Sequence, residues 1–314
     1  MNIEHDQHLE MVRTDRRSDR SPWELRALET AEEMRAVEEL SRLVWPGSDL
    51  DVVPTHLLLT VAHNGGLVAG AFTGETLVGF VFGFAGLQAT PQGFRPKHCS
   101  HQLAVHPDHR NSGLGFALKR FQWQFVKARG LERVTWTYDP LLSRNAHLNI
   151  AKLGAVCDTY LRNAYGELRD EVNAGLPSDR FQVDWWVNSR RVVERMEGVQ
   201  QSTCDLDVYL LAGAVLINPP EPNGAPSPPT EWLLPARDAG DVDRPRSFLL
   251  EIPPDFLSLK ATDLDRALVW RLSTRGCFES LFDRGFAVTD FIYRPGLPAR
   301  AAYVLSRPTS EEEA

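Results

Sequence analysis

A chain of 314 residues with 43% hydrophobic and 24% charged side chains holds enough apolar material for a core. Its length suits about two domains of roughly 150 residues. The formal net charge of -8 excludes a broadly basic surface and argues against a general nucleic-acid binder. The four cysteines (Cys99, Cys157, Cys204 and Cys277) form no Cys-x-x-Cys pair, which disfavours a disulfide scaffold or structural zinc site and fits a reducing cytoplasm.

Met1 to Ser21 is charged and polar without an apolar segment, so it reads as a solvated, mobile tail and not as a secretory signal. Trp23–Leu28 alternates apolar and polar residues, as a half-buried strand does. Thr30 and Glu33 have capping-box spacing, and Met34, Val37, Leu40 and Val44 follow at helical intervals up to Pro46-Gly47. A second helix is predicted over Pro54–His63. Leu67–Thr73 and Leu77–Leu87, joined across Gly74-Glu75, predict an antiparallel hairpin. The second of these is the longest strongly apolar stretch, well short of the ~20 residues that a membrane-spanning helix needs. A strand over His98–Val105 leads through a loop into a helix over Gly113–Arg129, which Gly130 closes. Arg133–Tyr138 reads as a strand stopped by Asp139-Pro140, and Leu142–Leu153 as a helix ended by Gly154. Further strands are predicted around Ala155–Tyr165 and Phe181–Val187.

Residues 218–230, Asn-Pro-Pro-Glu-Pro-Asn-Gly-Ala-Pro-Ser-Pro-Pro-Thr, suit neither helix nor central strand, because proline lacks the donor and fixes φ. They are expected to form an exposed tether. Ser247–Ile252 then reads as a strand, Leu264–Arg284 as an amphipathic helix, and Phe286–Tyr293 and Ala301–Leu305 as strands, before an acidic end at Glu311–Glu313. This strand–helix–strand–strand order repeats that of residues 133–188, with Gly154 and Gly285 at corresponding helix ends. A duplicated half-domain is one reading, and a generic βαββ segment is the other. So small a unit buries too little to stand alone. Residues 247–306, with Leu264, Leu268, Leu272, Phe278, Leu281 and Phe282 on their helix, are therefore expected to pack on the preceding domain or on a second copy. The boundaries drawn are a tail over 1–22, a domain over 23–190 and a C-terminal region over 191–314.

Chemistry concentrates in His101-Gln-Leu-Ala-Val105-His-Pro-Asp-His-Arg110-Asn-Ser-Gly113-Leu-Gly115-Phe116, where a strand enters a turn and Arg-x-x-Gly-x-Gly opens a helix. Glycines let the backbone approach a ligand, the N–H groups of a helix start are unpaired, and the helix dipole favours an anion. Arg110 either adds its guanidinium to the anion or braces the loop. A Walker loop is excluded by the missing Gly-Lys-Ser/Thr ending, and Leu118 interrupts the dinucleotide pattern Gly-x-Gly-x-x-Gly.

With Leu103-Ala-Val105 ahead of it, this segment resembles the pyrophosphate-binding signature of the GNAT superfamily of N-acyltransferases. The order of elements over about residues 23–188 is similar to that family's as well. The resemblance implies an α/β (α+β) fold, a mixed and mostly antiparallel sheet flanked by helices, here followed by a C-terminal βαββ half-domain. It implies that the amides of Asn111, Ser112, Gly113, Leu114, Gly115 and Phe116, with Arg110, hold the pyrophosphate of acetyl-CoA or another acyl-CoA. Leu103, Ala104 and Val105 would pair with the pantetheine arm. The family's later helix, Asn-x-x-Ala-x-x-x-Tyr-x-x-x-Gly-Phe, is met here by Ser143, Ala146, Ile150, Gly154 and Ala155. Isoleucine thus stands where a tyrosine commonly protonates the leaving thiolate.

Asn145 and Asn149, four apart on one helix face, are candidates to bond the pantetheine amides, or are simply exposed or capping asparagines. Tyr160 and Tyr165 are candidate general acids, although buried tyrosines often only pack. An ammonium must lose a proton before it attacks. His101, with an ordinary pKa near 6.5, is the candidate base, against a structural histidine on the outer sheet face. Some arylalkylamine-type members of the family are similar here, with histidine at the same place before Leu-Ala-Val-His. Arg180 is placed either to bind an acceptor carboxylate bidentately or to pair with Asp179 or Asp184. No metal is expected, with His106-x-x-His109 read as structural. The expectation is a cytoplasmic N-acyltransferase that moves an acetyl or other acyl group from acyl-CoA to a primary amine, a small amine or amino acid, by direct attack. Neither nucleic acid nor membrane is an expected partner, and a homodimer is compatible with the chain. The alternative is a non-catalytic acyl-CoA-binding or interaction module that has kept the loop.

Overall fold

The computed structural model describes residues 22–47, 52–166, 175–199, 205–229 and 245–308. The expected tail over residues 1–21 and the acidic end at 311–313 lie outside them. The described residues pack as two units, one holding the chain up to Trp136 with Trp186–Asn188, the other Thr137 to Trp185 and the chain from Ser189 onward.

In the first unit, β1 (Glu24–Ala27), β2 (Leu67–Thr73), β3 (Thr76–Thr90), β4 (Gly93–Val105) and β5 (Arg133–Tyr138) lie side by side in that order. All pair antiparallel except β4 with β5. Helix α1 (Ala31–Val44) starts on the capping box that its sequence spells. Thr30 Oγ1 accepts the Glu33 N–H, and the Glu33 carboxylate takes the Thr30 N–H in return. A cap of this kind contributes about 1 kcal/mol. Met34, Val37 and Leu40 of α1 and Leu58 of α2 (Thr55–His63) bury against Phe80 and Phe82 of β3. Residues alternate across a strand, so Gly79 looks the other way, toward α3 (Leu114–Ala128). A Cβ at Gly79 would lie 3.1 Å from Leu114, Leu118 and the Ala104 carbonyl, so glycine lets the helix approach without a shift of these neighbours. The β3–β4 hairpin runs further than its sequence suggests. Its extension carries Leu87 and Phe94 largely in solvent, so the alternation that marks a half-buried strand is lost there.

In the second unit the sheet order is β7-β6-β10-β11-β9-β8. The strands are β6 (Val156–Leu161), β7 (Arg180–Trp186), β8 (Val215–Leu216), β9 (Ser247–Ile252), β10 (Ala287–Arg294) and β11 (Arg300–Ser306). Helix α4 starts at Ser143–Ala146 and continues as a wide π-turn over His147–Lys152. Three short helices escape the sequence pattern, α5 (Arg190–Met196), α6 (Leu206–Leu211) and α7 (Phe256–Thr262), as does the two-residue β8. None is long enough to show a helical or alternating period. The long α8 (Leu264–Phe282) follows.

The two βαββ segments share their strand pairing. Each half has an antiparallel second-to-third strand pair, β6 with β7 and β10 with β11, and the two second strands meet at Cys157↔Val288. Each first strand also carries a short parallel partner at its second and third residues. In one half these pairs are His98↔Val134 and Cys99↔Thr135; in the other they are Val215↔Phe248 and Leu216↔Leu249. Beyond β8 the ladder is continued by a side chain. The Asn218 carboxamide donates to Glu251 O at 3.0 Å and Ser227 O at 2.8 Å, and accepts the Glu251 N–H at 2.8 Å. The proline-rich run is therefore not the free tether expected from its composition. Its prolines cannot donate to a ladder, but Asn218 anchors it and Glu221 pairs with Arg266 of α8 at 2.9 Å. Thr230 lies outside the described residues.

The buried face of α8 also differs from the sequence reading. Leu264, Leu268 and Leu272 are exposed, while Trp270, Arg271, Thr274, Cys277, Phe278 and Leu281 are buried. Two polar residues sit on the inward face because their partners are there too. Arg271 is bidentate on Asp139, at 2.8 and 2.5 Å, and Arg275 beside this face is bidentate on Asp179, at 2.7 and 2.9 Å. The Phe278 ring meets Phe181 edge-on at 4.6 Å. Removing one partner of a buried pair leaves an uncompensated charge. Arg271→Ala should therefore lower stability by about 3–5 kcal/mol in urea unfolding. A chain ended near residue 215 should aggregate, since Asp139, Asp179 and Phe181 would lose the helix that covers them.

Candidate active site

The Arg-x-x-Gly-x-Gly segment forms a tight corner between β4 and α3. Pro107–His109 make a single 3-10 turn, and the Asp108 N–H bonds back to His106 Nδ1 at 3.3 Å. Ser112 Oγ donates to the His109 carbonyl and accepts the Leu114 N–H at 3.4 Å. Asn111 and Gly113 both take positive φ, 63° and 94°. Asparagine tolerates that region, and glycine suits it best. A Cβ at Gly113 would meet nothing within 4 Å, so the space above the loop is open. The first N–H taken up by the helix is that of Ala117, by Gly113 O at 3.1 Å. The amides of Gly115 and Phe116 precede it in the first turn, where no intrahelical acceptor exists. Leu114 is buried and pins the corner, while Arg110, Asn111, Ser112 and Gly113 are exposed. Donors, an open cradle and the positive end of α3 together fit a diphosphate.

The second feature is a bulge in β4. Phe82 pairs with Gln102 and Gly83 with Ser100, leaving His101 as an extra residue on β4. A bulge re-aims side chains, and His101 lies against the rings of Phe82 at 5.6 Å and Phe84 at 6.1 Å. Partial withdrawal from water there lowers its pKa below 6.5 and favours the neutral ring that accepts a proton. Leu103, Ala104 and Val105 pair with Val81, Phe80 and Gly79 of β3. The parallel ladder to β5 stops at Cys99↔Thr135, just before the bulge.

Behind β4 lies a buried polar layer that the sequence reading missed. Lys119 is 2% exposed, donates to Ser100 Oγ at 2.8 Å and Gln122 Oε1 at 3.0 Å, and sits 3.8 Å from the Trp136 ring centre. The Gln122 amide nitrogen, 3.0 Å from His98 Nε2, must donate to it, because its oxygen already serves Lys119. His98 is then the Nδ1–H tautomer, and Nδ1 has no partner among the described residues. Burial, with Lys119 and Arg129 nearby, lowers the His98 pKa to about 3, and burial lowers that of Lys119 to about 7. The available signal was Lys119 and Gln122, three apart among the apolar residues Leu118, Phe121 and Phe125.

The remaining candidates belong to the second unit. Asn145 is half-buried and Asn149 buried on α4, beside the π-turn, a feature frequent at functional sites. Ile150 is fully buried, so the position where the family commonly has tyrosine is core here. Tyr160 Oη donates to Asp179 at 2.7 Å; burial and that carboxylate raise its pKa well above 10. Tyr165 is 52% exposed and shares a 2.6 Å bond with Thr137 Oγ1. Arg180 donates to the Asp179 carbonyl at 2.9 Å, lies 3.8 Å from the Asp139 carboxylate and stands 5.5 Å over the Tyr165 ring. Tyr160 and Arg180 thus lie at Asp179 and Asp139, and Tyr165 meets the Arg180 guanidinium. Among the described residues no cluster of metal-ligating side chains occurs, and no helix is long and apolar enough to cross a membrane.

Residues 28–154 match the Acetyltransferase (GNAT) family. Members of the family use acyl-CoA. No curated protein matches the chain. Among solved structures, Ard1 from Thermoplasma volcanium is similar at 14% identity and a TM-score of 0.41, over 52% of this chain and 97% of that one. Aminoglycoside 6'-acetyltransferase type Ii is similar at 18% identity and a TM-score of 0.42, over 53% and 98%. The PaiA N-acetyltransferase from Thermoplasma acidophilum, in complex with coenzyme A, is similar at 17% and 0.37, over 52% and 98%.

Two measurements test this geometry. Gly113→Asp and Gly115→Asp should each abolish calorimetric binding of coenzyme A, by strain at φ 94° in the first and by a carboxylate beside the diphosphate in both. Arg110→Ala should cost about 1–3 kcal/mol, the range of a charge-assisted bond. Stability should also follow the buried lysine. Its folded pKa near 7 lies below the ordinary 10.5, so between those values the unfolded chain binds a proton that the folded one does not. Stability from this group therefore rises with pH over that window. Urea midpoints at pH 7 and 9.5 should show a smaller rise in Lys119→Met than in the parent.

Proposed function

We propose that the chain transfers an acetyl or other acyl group from acyl-CoA to the nitrogen of a small primary amine or amino acid by direct attack. The observation that carries this reading is the loop at 110–116, open above Gly113 and ending on unpaired helix-start amides, next to a strand whose bulge presents a neutral imidazole. The amides of Asn111 to Phe116, with Arg110, would hold the diphosphate, and the β4 edge at Leu103–Val105 the pantetheine arm. Asn145 and Asn149 would bond the arm's amides. The thioester supplies the activated acyl group, so no covalent enzyme intermediate is needed.

His101 would accept the proton of the acceptor ammonium at Nδ1 or Nε2, and backbone N–H groups of β4 would polarise the thioester carbonyl. For the leaving thiolate, Tyr165 is favoured over Tyr160. The Tyr160 hydroxyl already donates to Asp179 and holds its proton tightly. Arg180, partly neutralised by Asp139, remains the candidate for an acceptor carboxylate.

Thiol release from acetyl-CoA with a panel of amines, with products identified by mass spectrometry, tests the reaction and its acceptor together. Retention of coenzyme A with no acyl transfer to any amine would favour the non-catalytic binding module instead. His101→Ala should lower kcat/KM by about 10²–10⁴-fold at neutral pH. The parent profile should rise through a pKa below 6.5 and plateau near neutrality, because the base must be neutral and burial lowers its pKa. That acid limb should vanish in the variant, and the deficit should shrink at high pH, where free amine is abundant. An unchanged profile would make His101 structural.

A further inference from the structure

The buried layer behind β4 is costly, since Lys119 and Gln122 occupy positions on a helix face otherwise filled by Leu114, Leu118, Phe121 and Phe125. A leucine at position 119 would bury without desolvating a charge. What the lysine does there follows from where its bonds land. Ser100 is the β4 residue immediately before the bulge, and His98, reached through Gln122, is two residues further back. His98 belongs to the short parallel ladder to β5, His98↔Val134 and Cys99↔Thr135, and Ser100 is the first residue past it. After Cys99 no β5 pairing holds this side of the strand, so the bulge is braced by β3 and by the side chains behind it.

Packing around His98 leaves little slack. A Cβ on Gly83 would collide with His98 Nε2 and sit 2.8 Å from the Cys99 carbonyl, so a side chain there would displace the imidazole. At the other end, Lys119 is one helical turn beyond Gly115, on the same α3 whose first turn carries the anion loop. A shift of α3 along its axis therefore moves the loop and the Ser100 contact together.

We propose that Lys119 is a positioning residue for acyl transfer, with Ser100 and Gln122 as its contacts, fixing the β4 bulge so that His101 stays against the Phe82 and Phe84 rings and in step with the glycine loop. The proposal rests on the acyltransferase reading for its kinetic consequence, but not for its structural one. The Lys119 nitrogen meets Ser100 Oγ, Gln122 Oε1 and the face of Trp136. A methionine keeps the length and volume and loses all three.

Two variants, Ser100→Ala and Lys119→Met, separate this role from simple packing, each compared with the parent in two measurements. The first is the His101 ring-proton titration by NMR in the free protein. Release of the bulge should move His101 relative to the Phe82 and Phe84 rings and so shift its titration in both variants. The titrating and charged neighbours of the layer, His98 and Arg129, stay in place as the common background. The second measurement is steady-state acyl transfer with acetyl-CoA and the best amine. Here kcat should fall tenfold or more, while the Kd for coenzyme A stays within about threefold because the loop amides are untouched. An unmoved His101 titration together with parental kcat in Ser100→Ala would overturn the proposal, and this variant decides the matter if Lys119→Met does not fold. A parent that transfers no acyl group to any amine would refute the function while the His101 titration still tests the positioning.

Discussion

Strand β4 pairs with β5 at only two residues, and that constraint shapes the first unit. The parallel ladder ends after Cys99↔Thr135, and His101 is inserted as a bulge. From there on, one side of β4 is held by β3 alone. The buried Lys119, Gln122 and His98 become intelligible in this light, as they tie the strand to α3 where a sheet neighbour is missing. The anion loop belongs to the same arrangement, because α3 both opens the cradle at Gly113 and carries the lysine.

The second unit has a similarly short parallel ladder. It joins β8 to β9 in the same register, yet the chain beyond β8 stays pinned to β9. Asn218 bonds both backbone groups of Glu251 by side chain, and the proline-rich run folds back over the amino-terminal turn of α8 through Glu221 and Arg266. The edge of this strand pair is thus covered by its own chain. The same unit holds the two bidentate Arg–Asp pairs and the Phe181–Phe278 contact.

The loop at 110–116 is defined by its backbone, whereas the ionisable candidates differ by environment. Phe82 and Phe84 bias His101 toward the neutral form, while Asp179 commits Tyr160 to a fixed hydrogen bond. Two groups that look equivalent as ionisable side chains are separated by what they touch.

What the sequence determined by itself was whatever depends on short-range periodicity and special backbone geometry. The Thr30–Glu33 cap, the helices at 31–44 and 114–128, the strand at 247–252 and the glycine loop at 110–116 follow from spacing, because each is settled within a few residues. The family domain was legible for the same reason, carried by Leu103–Val105 and Arg110–Gly115. Only the tertiary structure decided the rest. It placed His101 in a bulge, since register is fixed by the partner strand, and it buried Lys119, since its acceptors Ser100 and Gln122 become its neighbours only when α3 packs on β4. It turned the Arg271 face of α8 inward against the leucines at 264, 268 and 272, because Asp139 lies 132 positions away in sequence and no local pattern can register a partner at that distance.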